Sequence, residues 1–138
     1  MLAQSLASCL KWLALGSDKF RYSSFFVDDH SDFTSVHHQT STSAEDTIKS
    51  KRAYESELRK YGKSVRHYHA DNGTYAVAEY RAEIEDSKQT LTFCGVGSHR
   101  QNGKAESRIK IICNPARSML FHAVHRWPTV VTPTLWPF

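Results

Sequence analysis

The stretch SVRHYHADNG, residues 64–73, passes from an alternating pattern into a turn of polar residues. Its period of two predicts a β-strand with His67, His69 and Asp71 on one face and Tyr68 on the other. Asp-Asn-Gly then ends the strand and leaves Asp71 at the carboxyl end, where α/β sheets present functional groups. An Asx turn that merely closes a strand has the same residues, so this motif alone does not identify a site.

Strand and helix signals continue on both sides of this run. A capping box formed by Thr42 and Glu45 predicts a helix start, and Gly62 is placed to end that helix. Pro115 falls inside the last helix and is expected to kink or split it, because proline removes a backbone donor. The predicted elements are strands over 22–27 and 32–38, a helix over 43–61, a strand over 64–70, a helix over 74–87, a strand over 90–96 and a helix from 104. This order predicts an α/β or α+β fold with a mixed sheet.

The composition indicates one globular domain. The chain has 138 residues, 40% of them hydrophobic, with a formal net charge of +4 and a pI near 9.0. Three cysteines without a close pair argue against a disulfide scaffold and indicate a reducing compartment. No apolar run reaches membrane-spanning length, and Lys11 interrupts the stretch that most resembles a signal peptide. We therefore expect an intracellular location, the nucleus included, and no membrane partner.

The positive charge is concentrated near the carboxyl end. Residues 67–98 carry two basic and five acidic side chains, whereas residues 99–138 carry six basic side chains and one acidic. A basic segment favours a polyanionic partner such as nucleic acid, although a solvated helix face has the same composition.

Asp71 and Glu106 are candidate ligands for a hard divalent cation. Glu106 is expected in the first turn of the last helix, where an acid also stabilises the helix dipole. Magnesium is typically bound by one or two carboxylates with waters and phosphate oxygens, and paired ions can stabilise both oxygens of a phosphoryl displacement. No C-x-x-C or H-x-x-x-H pair anchors a zinc site, so His67 and His69 are not predicted to bind zinc.

Several segments occur in an order typical of one known family. They are FVD at 26–28, HADNG at 69–73, CGVGSHRQNGKAESR at 94–108, ARSML at 116–120 and RWP at 126–128. Together they resemble the integrase catalytic core of copia-like long-terminal-repeat retrotransposons, an RNase H-like domain of the DDE class. The most specific part of the resemblance is D-N-G followed 35 positions later by Glu106 in Q-N-G-x-A-E.

The resemblance implies a metal-and-DNA site. Asp71 and Glu106 match the family's second aspartate and its glutamate, which are catalytic and bind Mg²⁺ or Mn²⁺. Lys104 and Arg108 lie one helical turn apart, so they share a face and would contact phosphates without reading sequence. The residues implied in DNA binding are Gln101, Asn102, Lys104, Arg108 and Lys110. DNA is the implied partner, and full-length relatives act as oligomers.

The amino-terminal part departs from the family. The family's first catalytic aspartate lies on a first strand at the centre of its sheet, and no such strand is evident over residues 1–19. The expected fold is therefore an RNase H-like mixed sheet flanked by helices that lacks this strand, unless residues 10–15 fill the gap. We expect residues 1–20 to lie outside the resemblance and residues 21–138 to form a partial core, truncated at both ends.

The resulting hypothesis is an integrase core fragment with an ancestral role in DNA integration by metal-dependent strand transfer. With two of three carboxylates, little or no activity is expected. The alternatives are a non-catalytic DNA-binding remnant of a decayed element, an RNase H-like nuclease of another kind, and a reading frame that makes no stable protein. The nuclease would need a third carboxylate near Asp71, for which Asp28 and Asp29 are the candidates.

Overall fold

The computed structural model describes residues 2–6, 20–71, 74–95 and 103–131, with the backbone alone over 2–6. Its elements follow the order β1 (Leu2–Leu6), β2 (Tyr22–Asp28), β3 (Thr34–Gln39), α1 (Ala44–Arg59), β4 (His67–Ala70), a 3-10 turn (Thr74–Ala76), α2 (Ala78–Asp86), β5 (Thr90–Phe93) and α3 (Gly103–Arg126). The mixed α/β prediction is confirmed, and each of the predicted strands and helices has a counterpart.

The five strands form one mixed sheet in the order β3-β2-β1-β4-β5. The pairs β2–β3 and β1–β2 are antiparallel, whereas β1–β4 and β4–β5 are parallel. The prediction that the central strand is missing is wrong, because β1 occupies that place. Its backbone groups pair with strands on both sides, so neither β2 nor β4 is left with an open edge. Residues 10–15 lie outside the described residues, and the boundary at residue 20 stays a prediction.

The two faces of the sheet are covered by different helices, because alternate side chains of each strand point to opposite faces. Phe26 and Tyr68 pack with Tyr54 of α1 and Tyr80 of α2. The opposite face of β2 packs against α3, and its core consists of Phe25, Val27, Ala105, Ile109 and Cys113. The sheet is therefore sandwiched between α1 and α2 on one side and α3 on the other.

The amino end of α1 is capped one residue later than predicted. Ser43, not Thr42, is the N-cap, and its hydroxyl accepts from the backbone N–H of Asp46 at 3.2 Å. A serine followed three residues later by a carboxylate satisfies an otherwise unpaired amide, as the Thr42 motif would have done. Gly62 has a φ of +66°, which matches its predicted role in ending the helix. Tyr61 lies just beyond the end of the helix and is 70% exposed.

Pro115 lies within a single α3 that runs from Gly103 to Arg126, so of the two expected outcomes, a kink or a split, the split does not occur. Proline leaves the carbonyl of Ile111 without its usual donor. Ile111 is exposed, as are Asn114 and Pro115, so water can take the place of that donor. In the described part of the chain, no helix is long and apolar enough to cross a membrane.

Candidate metal and nucleic-acid site

Asp71 follows β4 directly and is exposed at the carboxyl end of the parallel part of the sheet. Ser5 of β1 is in register with Ala70, so the next residue of the central strand, Leu6, takes the register position beside Asp71. On the other side, the backbone N–H of Cys94 donates to the carbonyl of Ala70 at 3.0 Å. The predicted carboxylate thus lies at the edge where parallel strands end together.

Glu106 lies in the first turn of α3, half-buried, on a helix that packs against β2 and β1. Because successive helical residues are rotated by about 100°, Glu106 lies on the opposite side of α3 from Lys104 and Arg108. The helix therefore has Glu106 on one side and Lys104 with Arg108 on the other, which we call its basic side. Gln101 and Asn102 lie outside the described residues, as do Asn72 and Gly73.

Lys104 and Arg108 share a face, as predicted, and the structure places the turn between β2 and β3 against it. Lys104 Nζ lies 2.8 Å from Asp32 Oδ1 and 3.4 Å from Asp29 Oδ1, and it also donates to the carbonyl of Asp29. Arg108 pairs with the second carboxylate oxygen of Asp32. The hydrogen bond from Lys104 holds the pKa of Asp32 below its ordinary value, and Asp32 raises the pKa of Lys104. Sequence alone gave no sign of this partner, which lies on a distant hairpin.

The turn itself is held by Asp28, whose buried carboxylate accepts from the backbone N–H of Ser31 at 2.8 Å and from its hydroxyl at 2.5 Å. Asp28 is in register with Ala3, three residues along β1 from Leu6. That separation is about 10 Å along the sheet, toward the end opposite Asp71. Asp28 is thus a turn residue, and its position does not favour a third carboxylate beside Asp71.

Lys110 is exposed, and among the described residues no ion pair involves it. The predicted basic residues therefore differ in state. Two are paired with carboxylates of the same chain, and one is open to solvent.

A hydrogen-bonded ladder of side chains runs along β4 and β5 on the Asp71 face. His67 Nδ1 lies 2.6 Å from Thr90 Oγ1, and Thr92 Oγ1 lies 2.9 Å from both His67 Nε2 and His69 Nδ1. His69 Nε2 lies 3.3 Å from Cys94 Sγ. Burial, followed by the charge of His69, lowers the pKa of His67 and favours its neutral ring.

One assignment of protons satisfies the whole ladder. With both rings neutral and protonated on Nδ1, Cys94 donates to His69, His69 to Thr92, Thr92 to His67, and His67 to Thr90. Thr90 then donates to the carbonyl of Arg66 at 3.3 Å. His67 and His69 are thereby engaged in hydrogen bonds, and no group of three or more metal-ligating side chains occurs among the described residues. The two histidines form part of a polar sheet surface.

Comparisons with known proteins complete this picture. Neither a protein-family model nor a curated protein matches the sequence. Among solved structures, the chain is similar to the integrase catalytic core domain of HTLV-2, solved in complex with magnesium in a trimeric form. The two align at a TM-score of 0.64 and 19% identity. The match covers 94% of this chain and 74% of that one. This chain has the fold of a retroviral integrase catalytic core. The dimeric form of the same HTLV-2 domain aligns equally well, with 75% of it covered.

A larger integrase assembly contains the same fold. The simian T-cell lymphotropic virus intasome in complex with PP2A regulatory subunit B56 gamma aligns at a TM-score of 0.71 and 18% identity. The match covers 95% of this chain but 43% of that one, so the chain spans less than half of the intasome protein. At such identities the likeness concerns the integrase core fold alone.

Proposed function

We propose that this chain is an integrase core related to those of copia-like retrotransposons, with an ancestral role in DNA integration. The observation that carries the proposal is the position of Asp71 beside the central strand of an integrase core fold, with Glu106 on the helix that packs against that strand. The reaction class is strand transfer, in which a DNA 3′ hydroxyl attacks a target phosphodiester and the leaving 3′ oxygen departs.

Asp71 and Glu106 would hold Mg²⁺ or Mn²⁺. Both groups supply the hard carboxylate oxygens that these ions prefer, and one or two carboxylates with waters are sufficient for a magnesium site. The bound cation would neutralise charge on the attacking and leaving oxygens. The protein's own part is to supply the two carboxylates, Asp71 from the end of β4 and Glu106 from the first turn of α3. The basic residues of α3 would hold the phosphate backbone.

The same site accounts for an expected loss of activity. Leu6 takes the register position beside Asp71 on the central strand, and leucine supplies no metal ligand. Asp71 and Glu106 are then the only carboxylates proposed for the site. We infer that this chain performs little or no strand transfer.

A strand-transfer assay with Mg²⁺ or Mn²⁺ tests the proposal. Wild type is expected to be at background, and Leu6→Asp is expected to gain metal-dependent activity that Asp71→Asn removes again. Asp86→Asn, at an exposed acid of α2, is the matched control and should change nothing. Robust wild-type turnover that Asp71→Asn abolishes would contradict the inactive-site proposal and leave the integrase role standing.

A second candidate function is DNA binding without catalysis, which the exposed Lys110 on a basic helix favours. Binding to a DNA duplex should then survive Asp71→Asn and weaken with Lys110→Ala, and more so when Lys104 and Arg108 are also replaced by alanine. Its affinity should fall steeply with salt. Oligomers like those of the HTLV-2 domain are also part of the proposal, and light scattering would detect them.

A further inference from the structure

The contact between α3 and the β2–β3 turn sets carboxylates where phosphates would bind. Lys104 and Arg108 form three ion pairs with Asp29 and Asp32, and all three pairs lie on the basic side of α3. A phosphate oxygen and a carboxylate oxygen are equivalent partners for these cations, since both accept charge-assisted hydrogen bonds. A polyanion and the turn therefore compete for the same donors.

The contact is accessible to such a competitor. The side chains of Lys104 and Arg108 are 32% and 30% exposed, and those of Asp29 and Asp32 are 44% and 45% exposed. Ion pairs with this exposure are weak and are screened by salt. Exchange of partners is thus possible without unfolding.

The turn does not depend on these pairs for its shape. Asp28 and Ser31 close it internally, and the backbone N–H of Asp28 donates to the carbonyl of Phe33 at 2.8 Å. The apolar contacts of Ala105 and Ile109 with β2 hold α3 on the sheet independently. The acidic groups can therefore release the cations while the hairpin and the helix stay in place.

We propose that the β2–β3 turn is an internal competitor of the polyanion, in which Asp29 and Asp32 occupy Lys104 and Arg108 until a nucleic acid displaces them. This inference rests on the proposed nucleic-acid role and adds a regulation of the same surface. Lys110 is exposed on the other side of α3, near Glu106, and is not part of this contact. Lys104 and Arg108 contact phosphates only when Asp29 and Asp32 release them.

The test compares variants that remove the same charge from different places. Asp29→Asn/Asp32→Asn removes the competitor, and asparagine tolerates the left-handed φ of +60° at position 32. Glu79→Gln/Glu85→Gln removes two exposed acids from α2 and serves as the matched control. Binding of a fluorescent 20-base-pair duplex is measured from low to moderate salt, and a thermal melt of each protein checks folding.

The turn variant should bind the duplex about tenfold more tightly than the control variant. The slope of log affinity against log salt should be the same in the two variants, because Lys104 and Arg108 meet phosphates in both complexes once the turn is displaced. Arg108→Gln should also weaken binding more in the turn variant than in wild type, which a purely structural turn would not produce.

Two failures are distinguishable. If the turn variant behaves like the control while Lys110→Ala still weakens binding, the competitor proposal is overturned and the nucleic-acid role stands. If no protein of the series binds the duplex, both proposals fall.

Discussion

Two charged clusters lie on opposite faces of the sheet and differ in burial. The buried cluster holds helices together, whereas the exposed cluster can exchange its partners. In the α1–α2 cluster, Lys51 is fully buried, with Nζ 3.1 Å from Glu55 Oε1 and 3.4 Å from Glu83 Oε1. Lys51 Nζ also donates a hydrogen bond to Ser87 Oγ at 3.2 Å. The α3–turn cluster of Lys104, Arg108, Asp29 and Asp32 is instead one-third to one-half exposed.

The buried cluster has partners for almost every polar group. Glu55 also accepts from Tyr68 Oη at 2.9 Å and from Gln89 Nε2 at 2.7 Å, so α1, β4 and the start of β5 meet at one carboxylate. A charged group that is out of contact with water is stable only when such partners surround it. Removal of one partner leaves the remaining groups buried and unpaired. The α3–turn cluster keeps water as an alternative partner. The first cluster therefore fixes α1 on α2, and the second can change partner.

Replacement of Lys51 gives the largest expected effect. Lys51→Met keeps the length of the side chain but leaves Glu55 Oε1 without its cation and Glu83 Oε1 with Arg52 alone. It should lower the free energy of unfolding by about 3 kcal/mol. Urea denaturation measures the change. Arg52→Gln is the control, since Arg52 pairs with the same Glu83 from a side chain that is 65% exposed. An equal loss in the control would contradict the distinction between buried and exposed partners.

A smaller loss of stability, which depends on pH, is expected when Glu83 is replaced. The hydrogen bond from Arg52, with the nearby charge of Lys51, lowers the pKa of Glu83 below its ordinary value of 4.5. A depressed folded-state pKa contributes stability above that ordinary value and loses it as the pH falls through the folded-state pKa. Glu83→Gln should therefore be less stable than wild type by about 1.5 kcal/mol at pH 7. The gap should begin to narrow below pH 4.5 and should go on narrowing as the pH falls through the folded-state pKa. A gap that does not change with pH would contradict this linkage.

The smallest effect is expected in the α3–turn cluster. Arg108→Gln should shift the midpoint of thermal unfolding by no more than about 2 °C, since exposed ion pairs contribute little. Added salt should shrink the shift further. Lys110→Gln, without an ion pair among the described residues, gives the reference. A large shift of the unfolding midpoint for Arg108→Gln alone would show that this cluster stabilises the fold, and would contradict the view that its ion pairs are weak.

Much of the fold could be predicted because its signals are local. The alternation that ends at Asp71 predicted β4, and a capping box with Gly62 predicted the start and end of α1. The burial of Lys51 was not predicted, because lysine is a residue type expected at the surface. The i, i+4 pair that it forms with Glu55 was nevertheless visible in the sequence. The central strand β1 was not predicted, because its five residues have only a weak strand pattern and its parallel partner is remote in sequence.

The candidate site was predictable in its parts but not in its arrangement. The positions of Asp71 at a strand end and of Glu106 in a first helical turn follow from local patterns. The pairing of Lys104 and Arg108 with Asp32 depends on how α3 crosses a hairpin some 70 residues earlier, which no local pattern encodes. The His67–Cys94 ladder likewise requires the parallel register of β4 and β5.

The placement of β1 also sets an order of folding events. The strands β1, β2 and β3 are consecutive and antiparallel, so this half of the sheet can assemble from neighbouring segments of chain. The other half begins only when β4 docks on β1 across some 60 residues, a slow closure that leaves one edge of the earliest strand exposed meanwhile. Until β4 docks, β1 is paired with β2 alone, and slow synthesis through α1 would prolong the exposure of its other edge.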